Sequence, residues 1–161
     1  MDIAHHTWLA AEYHVPSLYS CKVPMSSMNS ALALPAPGPA TVRLALIRAG
    51  IEMFGLECVR DELFSQIRAM VIRIRPPELV AMTVQTLHAY KVDEQAIGMQ
   101  ISTAPISREC AHASGPLTVY IEVLSKDVPR WIEILRAISY WGQANSLVYC
   151  TSVSESDPDP T

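Results

Sequence analysis

A chain of 161 residues and 17.8 kDa, half of it hydrophobic, is long enough for one core burying about two thirds of the surface its unfolded form exposes. Charged residues are only 17% of the chain, against roughly 25% in an average soluble domain, so polar groups are too few to cover the surface and a partner-covered face is expected. Twelve Lys and Arg against sixteen Asp and Glu, net −4, weigh against holding nucleic acid by bulk charge alone.

Thr7 to Val23 is rich in Trp, Tyr, Val and Leu and broken only by Pro16, which predicts a long first strand with a bend or bulge. Residues 24 to 39 carry four prolines among Ser and Ala: too many breakers for a helix, too apolar for a free linker, and therefore an ordered loop. Thr41 is placed to cap a helix whose Val42, Ala45, Leu46, Ala49 and Met53 share one face, with Gly55 as its stop and Arg48 one turn from Glu52. A shorter helical piece carrying Val59, Leu63 and Ile67 leads into a strand where Met70, Ile72 and Ile74 alternate with Val71, Arg73 and Arg75, giving it a basic outer face.

Pro76 and Pro77 end that pairing. Glu78 to Lys91 fits a helix or a strand, with strand preferred, and from Val92 to Ser107 the pattern fades into an excursion around Gly98 and Pro105. Gly115 and Pro116 announce a strand at Leu117 to Leu124, Asp127 caps a helix near Pro129 with Trp131, Ile134, Leu135 and Ile138 on one face, and Ser146 to Val153 closes as the last strand. The order is that of an α+β, ferredoxin-like βαββαβ domain, expected over residues 1–155 with a thumb or hairpin over about 77–107 and a disordered acidic tail at 156–161.

Charge is uneven along the chain. Residues 22 to 108 hold nine bases against seven acids, and seven of the nine are Arg, whose planar fork suits phosphate and base edges. Cys21, Cys58, Cys110 and Cys150 lie far apart without a CxxC pair, and the five histidines are scattered. Both patterns speak against a zinc site and for free thiols, and no metal or other cofactor is expected. A secretory leader pattern is lacking, so a reducing cytoplasm is the expected compartment, and Arg43, Arg48 and Arg73 interrupt the apolar stretches before they reach the roughly 18 residues of a membrane span.

Three places could bind a ligand on residue chemistry. LPAPGPATVR, residues 34 to 43, joins helix N-terminal donors to Arg43, with stiffening of the crossover as the plainer alternative. Arg73 and Arg75 share a strand face that could track a nucleic-acid backbone or simply be solvated. YWGQANS, residues 140 to 146, offers Tyr140 and Trp141 for stacking and Gln143, Asn145 and Ser146 for hydrogen bonds, unless its aromatics are core.

Four segments together resemble the small repeat-associated mysterious protein (RAMP) of Cascade-type CRISPR effectors that caps the crRNA 5′ end, the fifth Cas family. Ser20 to Ala49 resembles that family's opening strand, loop and helix. MVIRIRPPELVAMTVQTLHAYK resembles its second strand entering the thumb, with Gln85 and Thr86 at a Gln-containing turn. SRECAHASGPLTVYIEV resembles the return strand, Cys110 standing where an aromatic is usual, and ILRAISYWGQANSLVYC resembles the closing helix, glycine, polar turn and strand.

The resemblance implies a non-catalytic subunit holding the 5′ handle of a crRNA in a type I Cascade-like, DNA-targeting complex. The partners it implies are crRNA, a large subunit, a crRNA backbone subunit and, indirectly, target DNA. Its candidate RNA contacts are Lys22, Ser26, Asn29, Arg43, Arg73, Arg75, Gln85, Lys91, Arg108, Trp141, Gln143 and Asn145. One branch of the family cuts RNA without metal through Tyr, Lys and His; His88, Tyr90 and Lys91 have those types but crowd into one short segment, so an endoribonuclease is the second reading and a small ligand-binding protein of this fold the third. Met25, Met28, Leu32 and Leu34 have no obvious place in a small core and are expected at protein interfaces.

Overall fold

The computed structural model describes residues 5–23, 30–93 and 100–158. Strand β1, His6–His14, pairs antiparallel with both β8, Leu117–Leu124, and β9, Tyr149–Glu155; β8 also pairs with β5, Ile72–Arg75, so the sheet order is β5-β8-β1-β9. That is the split βαβ arrangement expected from the sequence, an α+β fold with a four-stranded antiparallel sheet. Alternation decides which face is covered. Leu9, Ala11 and Tyr13 of β1 and Leu117, Val119, Ile121 and Val123 of β8 are buried on the helix side. Glu12, Glu122, Arg73 and Arg75 fall on the other phase.

Helix α1, Pro39–Phe54, sets Val42, Ala45, Leu46 and Ala49 against the sheet, and the Gly55 N–H donates to the Ile51 carbonyl at 2.9 Å with φ at +86°. Its start departs from expectation. Pro39 opens the first turn behind Gly38 with no side-chain cap, so Thr41 already lies inside the helix. A helical run follows: α2, Leu56–Cys58, one π-turn at Val59–Leu63, and α3, Phe64–Ala69. It lies close on α1 because Gly50 has no side chain; a Cβ there would stand 3.1 Å from Val59 Cγ2. After a short 3₁₀ turn, Ser125–Asp127, comes α4, Val128–Ala137. It buries Trp131, Ile134 and Leu135 and takes a 2.8 Å hydrogen bond from the Tyr13 hydroxyl to the Leu135 carbonyl. Asp127 holds the cap position but makes no capping bond.

The first strand does not run unbroken to Val23. It stops at His14, and the chain resumes as β2, Cys21–Lys22, paired with β4, Ala33–Leu34, while β3, Ser30–Ala31, runs parallel to β7, Gln100–Ser114. The other departure is the hairpin. β6, Leu79–Asp93, and β7, Gln100–Ser114, are both 15 residues long and pair in register from Leu79↔Ser114 to Asp93↔Gln100. Gln100 to Ser107, expected as a fading excursion, is therefore the returning strand. No helix among the described residues is long and apolar enough to cross a membrane.

Candidate nucleic-acid interface

The hairpin rises from the sheet end where β1 finishes and β9 begins, and three segments are tied together at its base. Tyr19 and Ala111 exchange main-chain hydrogen bonds at 2.9 and 2.7 Å. The Ser20 hydroxyl donates to the Glu109 carbonyl at 2.9 Å, while the Ser20 N–H donates to the Ser146 hydroxyl at 3.0 Å. Glu109 in turn accepts the Ala33 N–H at 2.9 Å through Oε2, fixing the strand that pairs with Lys22.

The polar turn after α4 owes its shape to its own backbone. Trp141 N–H donates to Ser146 at 3.1 Å, Gln143 N–H to Trp141 at 2.8 Å and Ser146 N–H to Gln143 at 2.9 Å, with a bridge between Tyr140 and Leu147 closing the neck. Gly142 takes φ +68°, a left-handed conformation that side chains resist. Trp141 anchors this turn. It is fully buried and meets Tyr13 edge-on at 5.0 Å between ring centroids. The turn therefore presents Gly142, Ala144 and Asn145 to solvent and leaves Gln143 half-buried, accepting a 2.6 Å hydrogen bond from Arg108 Nη1.

Of the twelve sequence-derived contacts, the structure gathers Lys22, Arg108, Gln143 and Asn145 around this base. Lys22 and Asn145 are exposed and Arg108 is half-buried. Two others are not free for a ligand. Arg43 donates from Nε to the Ile67 carbonyl at 3.2 Å and from Nη2 to the Met70 carbonyl at 2.9 Å, satisfying the open end of α3. Trp141 is core and offers no stacking face. An Arg among apolar helix positions and a Trp in a polar turn look like ligand contacts until tertiary packing claims them.

Arg73 and Arg75 are exposed on the open side of the sheet, as their alternation predicts. Arg73 stands over the Trp8 ring at 5.5 Å, and Arg75 over Tyr120 at the same distance, with a hydrogen bond to the Tyr120 hydroxyl. Gln85 is half-buried opposite Arg108 in the hairpin, and Lys91 pairs with Ser102 further along it. Ser26 and Asn29 lie outside the described residues, as do Met25 and Met28; Leu32 is 56% exposed.

Cys21, Cys58, Cys110 and Cys150 are free thiols. Burial pushes Cys21 up to about 12 and Tyr19 up to about 12. At Cys110 burial raises the pKa and the nearby Arg108 opposes it. Among the described residues no three His, Cys, Asp or Glu groups cluster as metal ligands.

Sequence reasoning passed over a second feature beside the turn. Thr41, Leu44, Ala45, Arg48, Tyr140 and Gly142 line a cavity of about 190 Å³ between α1 and the Gly142 turn. Tyr140 of its lining is a stacking candidate from the sequence, whereas the Arg48 and Glu52 spacing reads first as an ordinary helix pair.

The sheet order, the helices on one face and the long hairpin define a ferredoxin-like α+β fold, and a chain of the type III-B Cmr-beta structure bound to cognate target RNA shares that fold. The TM-score to it is 0.58 at 12% identity, over 92% of this chain and 60% of that one, so the neighbour is considerably longer. No family model matches the chain. It is 23% identical over 154 residues, 95% of its length and 67% of the relative's, to the CRISPR-associated protein Cas5 of Archaeoglobus fulgidus. Sequence and fold point the same way: the chain is similar to a CRISPR-associated Cas5 protein over nearly its whole length and shares its fold with a chain of a CRISPR effector.

Proposed function

We propose that the chain is an RNA-binding subunit of a CRISPR effector, that it is non-catalytic, and that it holds the 5′ handle of a crRNA in a type I Cascade-like complex. The observation that carries this is the base of the hairpin, where Arg108, Gln143, Lys22 and the Gly142 to Asn145 turn meet on a chain similar to Cas5 over 95% of its length. Single-stranded RNA asks for this set of groups: cations and main-chain N–H for phosphates, amides for base edges, and a backbone close enough for glycine to matter. Arg73 and Arg75, on the sheet's open side, supply further backbone contacts.

Partner subunits follow from the surface. Leu44, Leu79 and Val84 are 68%, 67% and 67% exposed, and apolar groups this open on a chain poor in charge fit interfaces with a large subunit and a crRNA backbone subunit, with target DNA reached only through them. The test is to express the tagged chain with its neighbouring genes and sequence the RNA that co-purifies. Small RNAs sharing one 5′ segment are expected; purification free of small RNA overturns the reading. Repeat RNA incubated with the pure chain in EDTA should stay intact, and cleavage would make it a metal-independent endoribonuclease.

A further inference from the structure

Arg48 is poorly satisfied for a residue so enclosed. Its side chain is 20% exposed, and its guanidinium lies 3.5 Å from the centroid of the Tyr140 ring. Nη1 makes long, 3.5 Å contacts with Glu52 and Ser139. Nε and Nη2 are buried with no hydrogen-bond partner among the described residues. These two nitrogens form the side-on fork of the guanidinium, two parallel N–H donors in one plane. Buried donors of this kind are rarely left unpaired in a finished structure, because each costs its full desolvation. Arg48 also lines the cavity of about 190 Å³ walled by Leu44, Ala45, Tyr140, Thr41 and Gly142.

We infer that this cavity is a pocket for one guanine base of the bound RNA, read through its O6 and N7 acceptors by the Nε and Nη2 donors of Arg48. This rests on the RNA-binding reading above and adds a base preference to it. A phosphate also presents paired acceptors, but Glu52 stands 3.5 Å from the same guanidinium and offsets its charge, which favours a neutral ligand over an anion. The Leu44, Ala45 and Tyr140 walls favour a flat, largely apolar body as well. Guanine alone among the bases carries two adjacent acceptors on that edge, whereas adenine places a donor beside N7. Tyr140, half-buried over Arg48, is the side chain that yields as the base enters and then stacks on it.

The test measures fluorescence anisotropy of the full chain with short oligouridine RNAs that differ at one central position: uridine, guanosine or 7-deazaguanosine. Guanosine should bind about 5- to 100-fold more tightly than uridine, and 7-deazaguanosine, which lacks the N7 acceptor, should lose most of that gain. Arg48→Lys, which keeps the charge and loses the fork, should bind the all-uridine RNA as before and no longer prefer guanosine. Equal binding of all three RNAs by the unaltered chain overturns the pocket alone, as does a preference that persists in Arg48→Lys. Loss of the preference on adding millimolar inorganic phosphate makes the occupant a phosphate and also overturns it. If none of the RNAs binds, the RNA-binding reading falls with it.

Discussion

The contact between Arg108 and Gln143 joins the hairpin to the polar turn, and removing either side separates its structural role from its role toward RNA. The 2.6 Å bond from Arg108 Nη1 to the Gln143 carbonyl oxygen has a charged donor and is partly buried. Bonds of that kind contribute about 1.5 to 3 kcal/mol. Gln143→Ala should therefore lower the melting temperature by about 3 to 12 °C for a chain of this size. Arg108→Met keeps the apolar stem and should cost less, because it takes away together the donor and the Nε that is buried without a partner among the described residues. Combined in a double-mutant cycle, the two changes should show a coupling of about 0.5 to 3 kcal/mol by denaturant unfolding. Toward RNA the order reverses. Arg108→Met loses a cationic contact, weakening binding by about 1 to 2 kcal/mol, or about 5- to 30-fold, and lowering the slope of log affinity against log salt by about 1. Anisotropy titrations across a series of salt concentrations read both quantities. Unchanged affinity in Arg108→Met would refute the placement of RNA at the hairpin base, and a coupling near zero would refute the bond.

Changing Arg73 or Arg75 to Ala should weaken RNA binding by about 1 to 2 kcal/mol each with smaller salt dependence; unaltered affinity in both would make that sheet face mere solvated surface. Leu46→Ala, at a site with no exposure, should cost about 2 to 5 kcal/mol in urea unfolding, and a loss under 1 kcal/mol would contradict its burial. Gly142→Ala meets no clash, since its Cβ would lie 3.7 Å from Thr41, but φ of +68° should cost about 1 to 2 kcal/mol of strain, seen as a lower melting temperature. Burial holds Cys21 and Tyr19 neutral in the folded chain up to about 12, against ordinary values of 9.0 and 10.0. The unfolded chain thus loses these protons first, and stability, complete below pH 9, should fall as pH rises from about 9 to 12 through Cys21 and from about 10 to 12 through Tyr19. Cys21→Ala should lessen that fall, and a flat profile to pH 11 would contradict it.

The sheet and its helices were legible because burial writes a period into the sequence. Ile72 and Ile74 alternate with Arg73 and Arg75, and Val42, Ala45, Leu46 and Ala49 repeat at helical spacing. The return of the hairpin was not, because Gln100 to Ser107 shows no regular alternation of apolar and polar residues; its pairing with β6 defines it as a strand. Arg43 and Trp141 misled for a related reason: residue type cannot say whether a guanidinium meets phosphate or the carbonyls of Ile67 and Met70, nor whether an indole in a polar turn points in or out. The site itself depends on contacts between distant residues, Arg108 with Gln143 and Glu109 with Ala33, and nothing in a single sequence sets those registers.

The most direct measurement is ultraviolet cross-linking of the RNA-bound chain, with cross-linked peptides located by mass spectrometry. RNA held at the hairpin base should cross-link to the peptides containing Lys22, Arg108 and the Gly142 to Asn145 turn. Cross-links confined to the outer side of the Leu56 to Ala69 helical run, with none at the hairpin base, would place the RNA elsewhere.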